Sequence, residues 1–118
     1  MPGVQSYKDL EIWKKGIVLV KQIYDITKPF PEEEKYGLTS QMRRSAISVP
    51  SNIAEGFRRK GQREFKQFLN IALGSLAELE TQLVIATEVG YLSEVKRKSI
   101  EETTGILARM ILALSHKL

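Results

Sequence analysis

The chain contains no cysteine and only one histidine, His116. The lack of cysteine excludes disulfides and thiolate metal sites. His116 falls at the end of a predicted helix, where a histidine more often complements the helix dipole than acts as a base. The sequence has no phosphate-binding glycine loop, no dinucleotide fingerprint, no zinc-ligand spacing and no Glu-x-x-His pattern of di-iron bundles. We therefore expect a protein that is not an enzyme and that uses no cofactor and no metal.

The sequence also has no long apolar stretch and only a small excess of positive over negative charge. The N-terminal stretch MPGVQSYKDLE has no basic region followed by an apolar one, so we expect no secretion signal. No apolar run approaches the roughly 18 residues that span a bilayer. The 18 basic and 14 acidic side chains give a net charge of +4, spread over both halves of the sequence, which permits nucleic-acid binding without demanding it. These features predict a cytoplasmic protein with no membrane partner.

Apolar residues recur at spacings of three and four, which predicts helices and no strands. A chain of 118 residues is long enough for one domain with a single core. Pro29 and Pro31, then Gly61, then Gly90 interrupt the pattern and mark the connections. Four helices with short connections favour an antiparallel, up-down-up-down four-helix bundle. The predicted helices cover residues 8–28, 33–59, 62–89 and 93–116.

Two of these helices carry apolar seams that bear on assembly. The third predicted helix has one heptad-like seam, made by Phe65, Leu69, Ala72, Leu76, Leu79, Leu83 and Ala86. The first has two neighbouring seams: Leu10, Trp13, Ile17, Val20 and Tyr24 form one, and Ile12, Gly16, Leu19, Ile23 and Ile26 form the other. Either both seams of the first helix face one core, or the second seam meets another subunit.

The stretch from Gln41 to Phe57 is unusual because it combines helical flanks with Pro50, three serines and an asparagine. Proline inside a helix removes one backbone hydrogen bond and frees the carbonyl four residues earlier, here that of Ala46. A polar network between the second and third helices is one interpretation, with Arg44 pairing with Glu55 or Glu78 and Asn52 pairing with Gln82. The alternative is that the same side chains are the solvated faces of two amphipathic helices. The residues concerned are Arg44, Ser48, Ser51, Asn52, Glu55, Glu78 and Gln82.

Basic side chains crowd the turn between the second and third helices, where only Glu64 opposes them. Arginine and lysine at such a turn can contact phosphates, and arginine can do so with two parallel hydrogen bonds. The alternative is a solvated loop. A second basic run, at residues 96–98, opens the fourth helix and is expected at the opposite end of the bundle. The predicted nucleic-acid-binding residues are Arg58, Arg59, Lys60, Arg63 and Lys66.

Three stretches carry a resemblance to a known family, and the middle one is the most specific. They are YKDLEIWKKG at Tyr7–Gly16, YGLTSQMRRSAISVPSNIAEG at Tyr36–Gly56 and FLNIALGSLAELETQL at Phe68–Leu83, followed by residues 90–92. The chain resembles the four-helix bundle proteins encoded by intervening sequences of bacterial 23S ribosomal RNA genes. That family is similar to the accessory variability protein of diversity-generating retroelements.

The resemblance implies a four-helix protomer that assembles into a ring-like homopentamer. In the retroelement relative a basic surface binds nucleic acid and engages a reverse transcriptase, which makes RNA, DNA and such a protein the partners that the resemblance implies. The basic positions of this chain lie outside the shared motifs. Two hypotheses follow: an oligomeric, non-enzymatic protein that binds nucleic acid without strong sequence specificity, or a protein–protein interaction scaffold with no physiological nucleic-acid binding.

Overall fold

The computed structural model describes all 118 residues and contains four α-helices and no strand, so the prediction of an all-α bundle is confirmed. The bundle measures 45 × 25 × 20 Å. Two short 3-10 helices, Tyr7–Asp9 and Glu32–Glu34, precede the first and second α-helices. The α-helices are α1 (Glu11–Thr27), α2 (Leu38–Arg58), α3 (Gln62–Glu88) and α4 (Glu94–His116).

Helix α1 begins at Glu11, later than the predicted residue 8, because a separate turn precedes it. Ser6 caps that turn: its hydroxyl accepts a hydrogen bond from the Lys8 amide, and the Asp9 carboxylate accepts one from the Ser6 amide. This reciprocal pairing is a capping box. Leu10 then takes an extended conformation, which separates the turn from α1.

Helix α2 begins at Leu38 and not at residue 33, as the sequence predicted. The three glutamates form their own 3-10 turn, and Gly37, with φ −113° and ψ −116°, breaks the helical path before α2. The acidic run still serves the start of α2, because Glu34 Oε1 accepts a hydrogen bond of 3.1 Å from the Leu38 amide. A carboxylate at this position satisfies a free amide and complements the helix dipole.

The core lies along α3, whose predicted seam is buried over its whole length. Leu69, Leu79 and Leu83 are fully buried there, together with Met42 and Ile53 from α2. By length and composition α3 is also apolar enough to cross a membrane, contrary to the expectation from its sequence, although a buried core helix passes the same test. In the bundle α3 packs against α2 and α4.

Of the two apolar seams on α1, the second one faces the core. Ile12, Leu19 and Ile23 are buried, whereas Ile17 and Tyr24 of the first seam remain 44% and 37% exposed. The hypothesis that the second seam meets another subunit is therefore wrong, because α2 and α4 already cover it. The exposed large apolar side chains of α1 are Ile17 and Tyr24 from the first seam and Val18, which belongs to neither seam.

Pro50 is buried inside one protomer, at the contact of α1 with α2. A Cβ added at Gly16 would lie 3.2 Å from the Pro50 Cβ, so the glycine lets the proline ring approach the α1 backbone. The helix continues through Pro50 without interruption. The proline is thus accommodated by packing between two helices of the same chain.

Candidate nucleic-acid interface

The five predicted basic residues lie together at the connection between α2 and α3, and all are exposed. We call them the basic cluster. The chain turns here within three residues, 59–61, because α2 and α3 pack closely at Gly56: a Cβ added there would lie 2.5 Å from the Phe68 Cβ. The sharp turn gathers cations from the end of one helix and the start of the next. The members are Arg58, Arg59, Lys60, Arg63 and Lys66.

Arg59 is the one member of the basic cluster that forms an ion pair within the protein. Its guanidinium donates a hydrogen bond of 2.9 Å to Glu55 and lies 5.0 Å from the centre of the Phe68 ring. The pair is exposed on both sides, so its contribution to stability is small. Its charge is partly compensated, which leaves Arg59 a weaker phosphate ligand than its neighbours.

Arg58 connects the basic cluster to the N-terminal segment. Its guanidinium lies 5.5 Å from the centre of the Tyr7 ring, and the Lys8 ammonium lies 6.0 Å from the same ring. The Tyr7 ring in turn meets Trp13 edge-to-face, with 5.5 Å between ring centres. The sequence patterns predicted neither this aromatic pair nor the addition of Lys8 to the basic end.

Apart from Arg58, which lies against the Tyr7 ring, three members of the basic cluster form no ion pair in the structure: Lys60, Arg63 and Lys66. Glu64 lies among them and is likewise unpaired. These three cations are free to contact an anion without first breaking a bond within the protein, and lysine and arginine bind phosphate through charge-assisted hydrogen bonds.

The second basic run, at the start of α4, is electrostatically different. Arg97 donates hydrogen bonds to Glu101 at 2.6 Å and to Glu94 at 3.2 Å. The hydrogen bonds from Arg97 to Glu101 and Glu94 raise its pKa further above its usual range. Its neighbours Lys96 and Lys98 make no ion pair, but acidic side chains surround the run. This end of α4 offers little net positive charge to an anion.

Part of the predicted polar network exists, with different partners. Ser48 and Ser75 share a hydrogen bond of 2.8 Å between α2 and α3. Asn52 Nδ2 donates to the Ser48 carbonyl at 2.8 Å and to the Ser48 hydroxyl at 2.9 Å. The prediction that Asn52 pairs with Gln82 is therefore wrong, because its amide is satisfied within its own helix. Sequence spacing alone did not identify Ser75, which is buried within the leucine-rich face of α3.

The other predicted members stay outside this network. Arg44 and Glu55 lie on one helix with roughly 16 Å of axial rise between them, too far to pair, and Glu55 binds Arg59 instead. Arg44 and Glu78 line one polar groove of about 340 Å³ between α2 and α3, without an ion pair. Gln82 is buried, and its Oε1 has no hydrogen-bond partner. The predicted charge pair of Arg44 with Glu55 or Glu78 does not form.

A third polar feature lies where the α1–α2 connection meets the α3–α4 turn. The Tyr91 hydroxyl donates a hydrogen bond of 3.0 Å to Glu34 Oε2, the same carboxylate that caps α2. This hydrogen bond, then burial and the nearby negative charges of Glu34 and Glu33, raises the pKa of Tyr91. Phe30 packs on the Tyr91 ring with 5.5 Å between centres. No local sequence pattern connects Glu34 with Tyr91, which lie 57 positions apart.

Comparisons with known proteins place the chain in a family. The sequence model of the 23S rRNA-intervening sequence proteins matches residues 8–113. No curated protein matches the chain. A crystal structure of a protein of unknown function from the S23 ribosomal protein family of Bacteroides thetaiotaomicron has a similar fold: the TM-score is 0.81 at 21% identity, over 89% of this chain and 95% of that chain. The chain belongs to the family of 23S rRNA-intervening sequence proteins.

Proposed function

We propose that this protein is a cytoplasmic, non-enzymatic bundle that binds RNA or DNA through the basic cluster, without strong sequence specificity. The observation that carries the proposal is the distribution of charge along the bundle. It depends on the directions of the helices, which we infer to be antiparallel, up-down-up-down.

Contacts between distant residues support these directions. Pro50 packs on Gly16, and Arg43 donates a hydrogen bond to Thr27. The later residue of α1 therefore meets the earlier residue of α2, as it does when two helices run antiparallel. The same reversal relates α2 to α3, where the close approach of Gly56 to Phe68 and the Ser48–Ser75 hydrogen bond lie in opposite orders along the two helices. Thr104 of α4 donates to Glu80 of α3, consistent with a short turn at residues 89–93.

With these directions, the positive charge collects at one end of the bundle. The half that holds the α2–α3 connection comprises residues 1–19, 49–75 and 106–118, and it carries ten basic and four acidic side chains. The other half, residues 20–48 and 76–105, carries eight basic and ten acidic ones. The modest net charge of +4 therefore divides into +6 and −2. The linear sequence conceals this division because each helix contributes to both ends.

A basic end on a bundle 45 Å long is suited to polyanions. Phosphates attract such a surface over about a Debye length, 8 to 10 Å at moderate salt, and binding releases condensed counterions. The members of the basic cluster are exposed cations that can contact phosphates, and phosphate contacts carry no sequence information. Assembly into a ring-like homopentamer, which the family resemblance implies, would add the weak contacts of several copies.

The proposal is tested by titrating the protein into a fluorescently labelled RNA and a DNA of matched sequence, with anisotropy as the readout. We expect binding that weakens steeply between about 50 mM and 200 mM salt. The double variant Arg63→Glu/Lys66→Glu should bind at least tenfold more weakly and show a smaller salt slope. The control Lys96→Glu/Lys98→Glu changes the charge equally at the other end and should bind as the wild type does. Equal losses in both variants, or salt-independent binding, would contradict the proposal.

The second candidate function, a protein-interaction scaffold, is favoured by the apolar side chains on the outer surfaces of α3 and α4. Ile71, Ile85 and Leu112 are 50%, 45% and 43% exposed. An exposed apolar helix face is typical of protein contact surfaces. Capture from a nuclease-treated lysate separates the candidates, because a protein that remains bound after nuclease treatment, and is lost with Ile71→Ser/Ile85→Ser, supports the scaffold. Light scattering in the same buffers gives the oligomeric mass and tests the pentamer.

A further inference from the structure

A groove between α1 and α2 opens beside the basic cluster and is mostly apolar. Its volume is about 300 Å³, and six of its eight lining residues are hydrophobic. Pro50 and Ile17 are among the lining residues, Ser51 supplies a hydroxyl, and Tyr7 and Trp13 lie at the end nearest the cluster. A concave site of this size with few polar groups is of the kind that takes a flat, largely apolar ring.

The two aromatic rings at this end are held in place yet remain partly accessible. Tyr7 and Trp13 meet edge-to-face, at an interplanar angle of 63°, and both are half-buried. Arg58 and Lys8 flank the Tyr7 ring, with their cationic groups 5.5 Å and 6.0 Å from its centre. Proteins that bind single-stranded nucleic acid combine accessible aromatic rings with nearby cations, because the bases stack on the rings while the phosphates contact the cations.

The position of the groove relative to the basic cluster sets the class of ligand. Ala54, at the groove, lies one helical turn before Arg58 on α2, so a nucleotide with its base in the groove has its phosphates beside the cluster. The bases of a duplex are stacked and paired, and they cannot enter a groove without being unstacked first. A single strand has no base pairs to break, so this cost is lower.

We propose that the groove between α1 and α2 is a base-stacking site for single-stranded nucleic acid, in which Tyr7 and Trp13 take one unpaired base while the basic cluster holds the neighbouring phosphates. The proposal rests on the nucleic-acid binding proposed above and adds to it a preference for single strands and a defined contact site. Ser51 is placed to exchange a hydrogen bond with the base edge.

Trp13 is the sole tryptophan of the chain, so its fluorescence reports on this groove alone. The probes are a short single-stranded RNA, a single-stranded DNA of the same sequence and a blunt duplex of equal length, each also carrying a distant label for anisotropy. We expect saturable quenching of Trp13 by the single strands, with the same midpoint as the anisotropy. The duplex should bind more weakly and leave the Trp13 emission unchanged.

The variant Tyr7→Ala removes one ring and keeps Trp13 as the reporter. Stacking is worth about 1–3 kcal/mol per base, so single strands should bind roughly 5- to 150-fold more weakly while duplex affinity stays constant. Tyr7→Phe, which retains the ring, should restore the affinity. Circular dichroism and the Tm of Tyr7→Ala show whether the bundle has stayed folded, and Ile17→Ser tests the groove wall independently if it has not.

Several outcomes would overturn the base-stacking site, and all but the last would leave nucleic-acid binding itself intact. Anisotropy that reports binding while Trp13 emission stays constant and Tyr7→Ala has no effect would leave the basic cluster as an interface and remove the groove from it. Equal affinity for duplex and single strand would do the same. A Trp13 emission that changes with protein concentration alone would show a second copy covering the groove. Binding of no probe at all would refute both proposals.

Discussion

The close approach of α2 to α3 at Gly56 can be tested with a single methyl group. In Gly56→Ala the new Cβ would lie 2.5 Å from the Phe68 Cβ and 3.1 Å from the Phe65 Cδ1. The Phe68 Cβ is attached directly to the α3 backbone and cannot rotate away, so α2 and α3 must move apart or the helix ends must shift. Either response disturbs the turn that carries the basic cluster.

The magnitude follows from two opposing terms. Overpacking a well-packed contact costs typically 1–3 kcal/mol, whereas alanine in place of glycine in a helix interior gains up to about 1 kcal/mol. Gly56 lies in the last turn of α2, where the propensity gain is smaller. We therefore expect Gly56→Ala to lower the free energy of unfolding by about 1–2 kcal/mol.

The matched control is Gly74→Ala in the middle of α3, where an added Cβ meets nothing within 4 Å. That variant should be more stable than the wild type by about 0.5–1 kcal/mol. Urea unfolding followed by circular dichroism, at one fixed protomer concentration, gives both values, since association would shift the apparent stability. A Gly56→Ala protein at least as stable as the wild type, with an unchanged m-value, would refute the packing argument.

Three further predictions concern the core and the polar contacts. Leu69→Ala, at a fully buried position, should lower the free energy of unfolding by about 2–5 kcal/mol in urea unfolding, whereas exposed Leu112→Ala should change it by under about 0.5 kcal/mol. Thr104→Val should cost about 1–3 kcal/mol in the same assay, because Glu80 loses its 2.7 Å hydrogen bond; an unchanged stability would show that water replaces the hydroxyl. The raised pKa of Tyr91 means that its stabilisation is complete below the unfolded value of about 10 and is lost as the pH rises from there through the folded value. Tyr91→Phe should therefore lose less stability than the wild type as the pH rises above about 10, and parallel curves would contradict the Tyr91–Glu34 bond.

The sequence predicted the helices well wherever periodicity controls the structure. The α3 seam, the Gly61 and Gly90 breaks and the absence of strands all follow from local patterns, which is why the α2–α3 and α3–α4 connections agree within a residue. The start of α2 was predicted too early because acidic residues favour any helical turn, and only the backbone at Gly37 shows that the turn at Glu32–Glu34 is a separate one.

The site was predicted less completely because it combines residues that are distant in sequence. The basic cluster is contiguous in the chain and was found directly. The contact of Arg58 with Tyr7 joins residues from two helical segments, and no spacing rule connects them. Likewise Asn52 pairs within its own helix and not with Gln82, because side-chain partners depend on rotation about each helix axis, which a periodic pattern fixes only coarsely.

The carboxylate of Glu34 has a consequence for how the bundle opens. One oxygen holds the first amide of α2 and the other holds the Tyr91 hydroxyl, so fraying of α2 and release of the α3–α4 turn remove partners from the same group. At the other end no comparable bond crosses the connection at residues 59–61. In native-state hydrogen exchange the amides around Leu38 and those following Tyr91 should therefore exchange as one cooperative unit, while the turn bearing the basic cluster opens at a much lower free energy. Such a result would make the acidic end of the bundle the more rigid one and the basic end the more adaptable one.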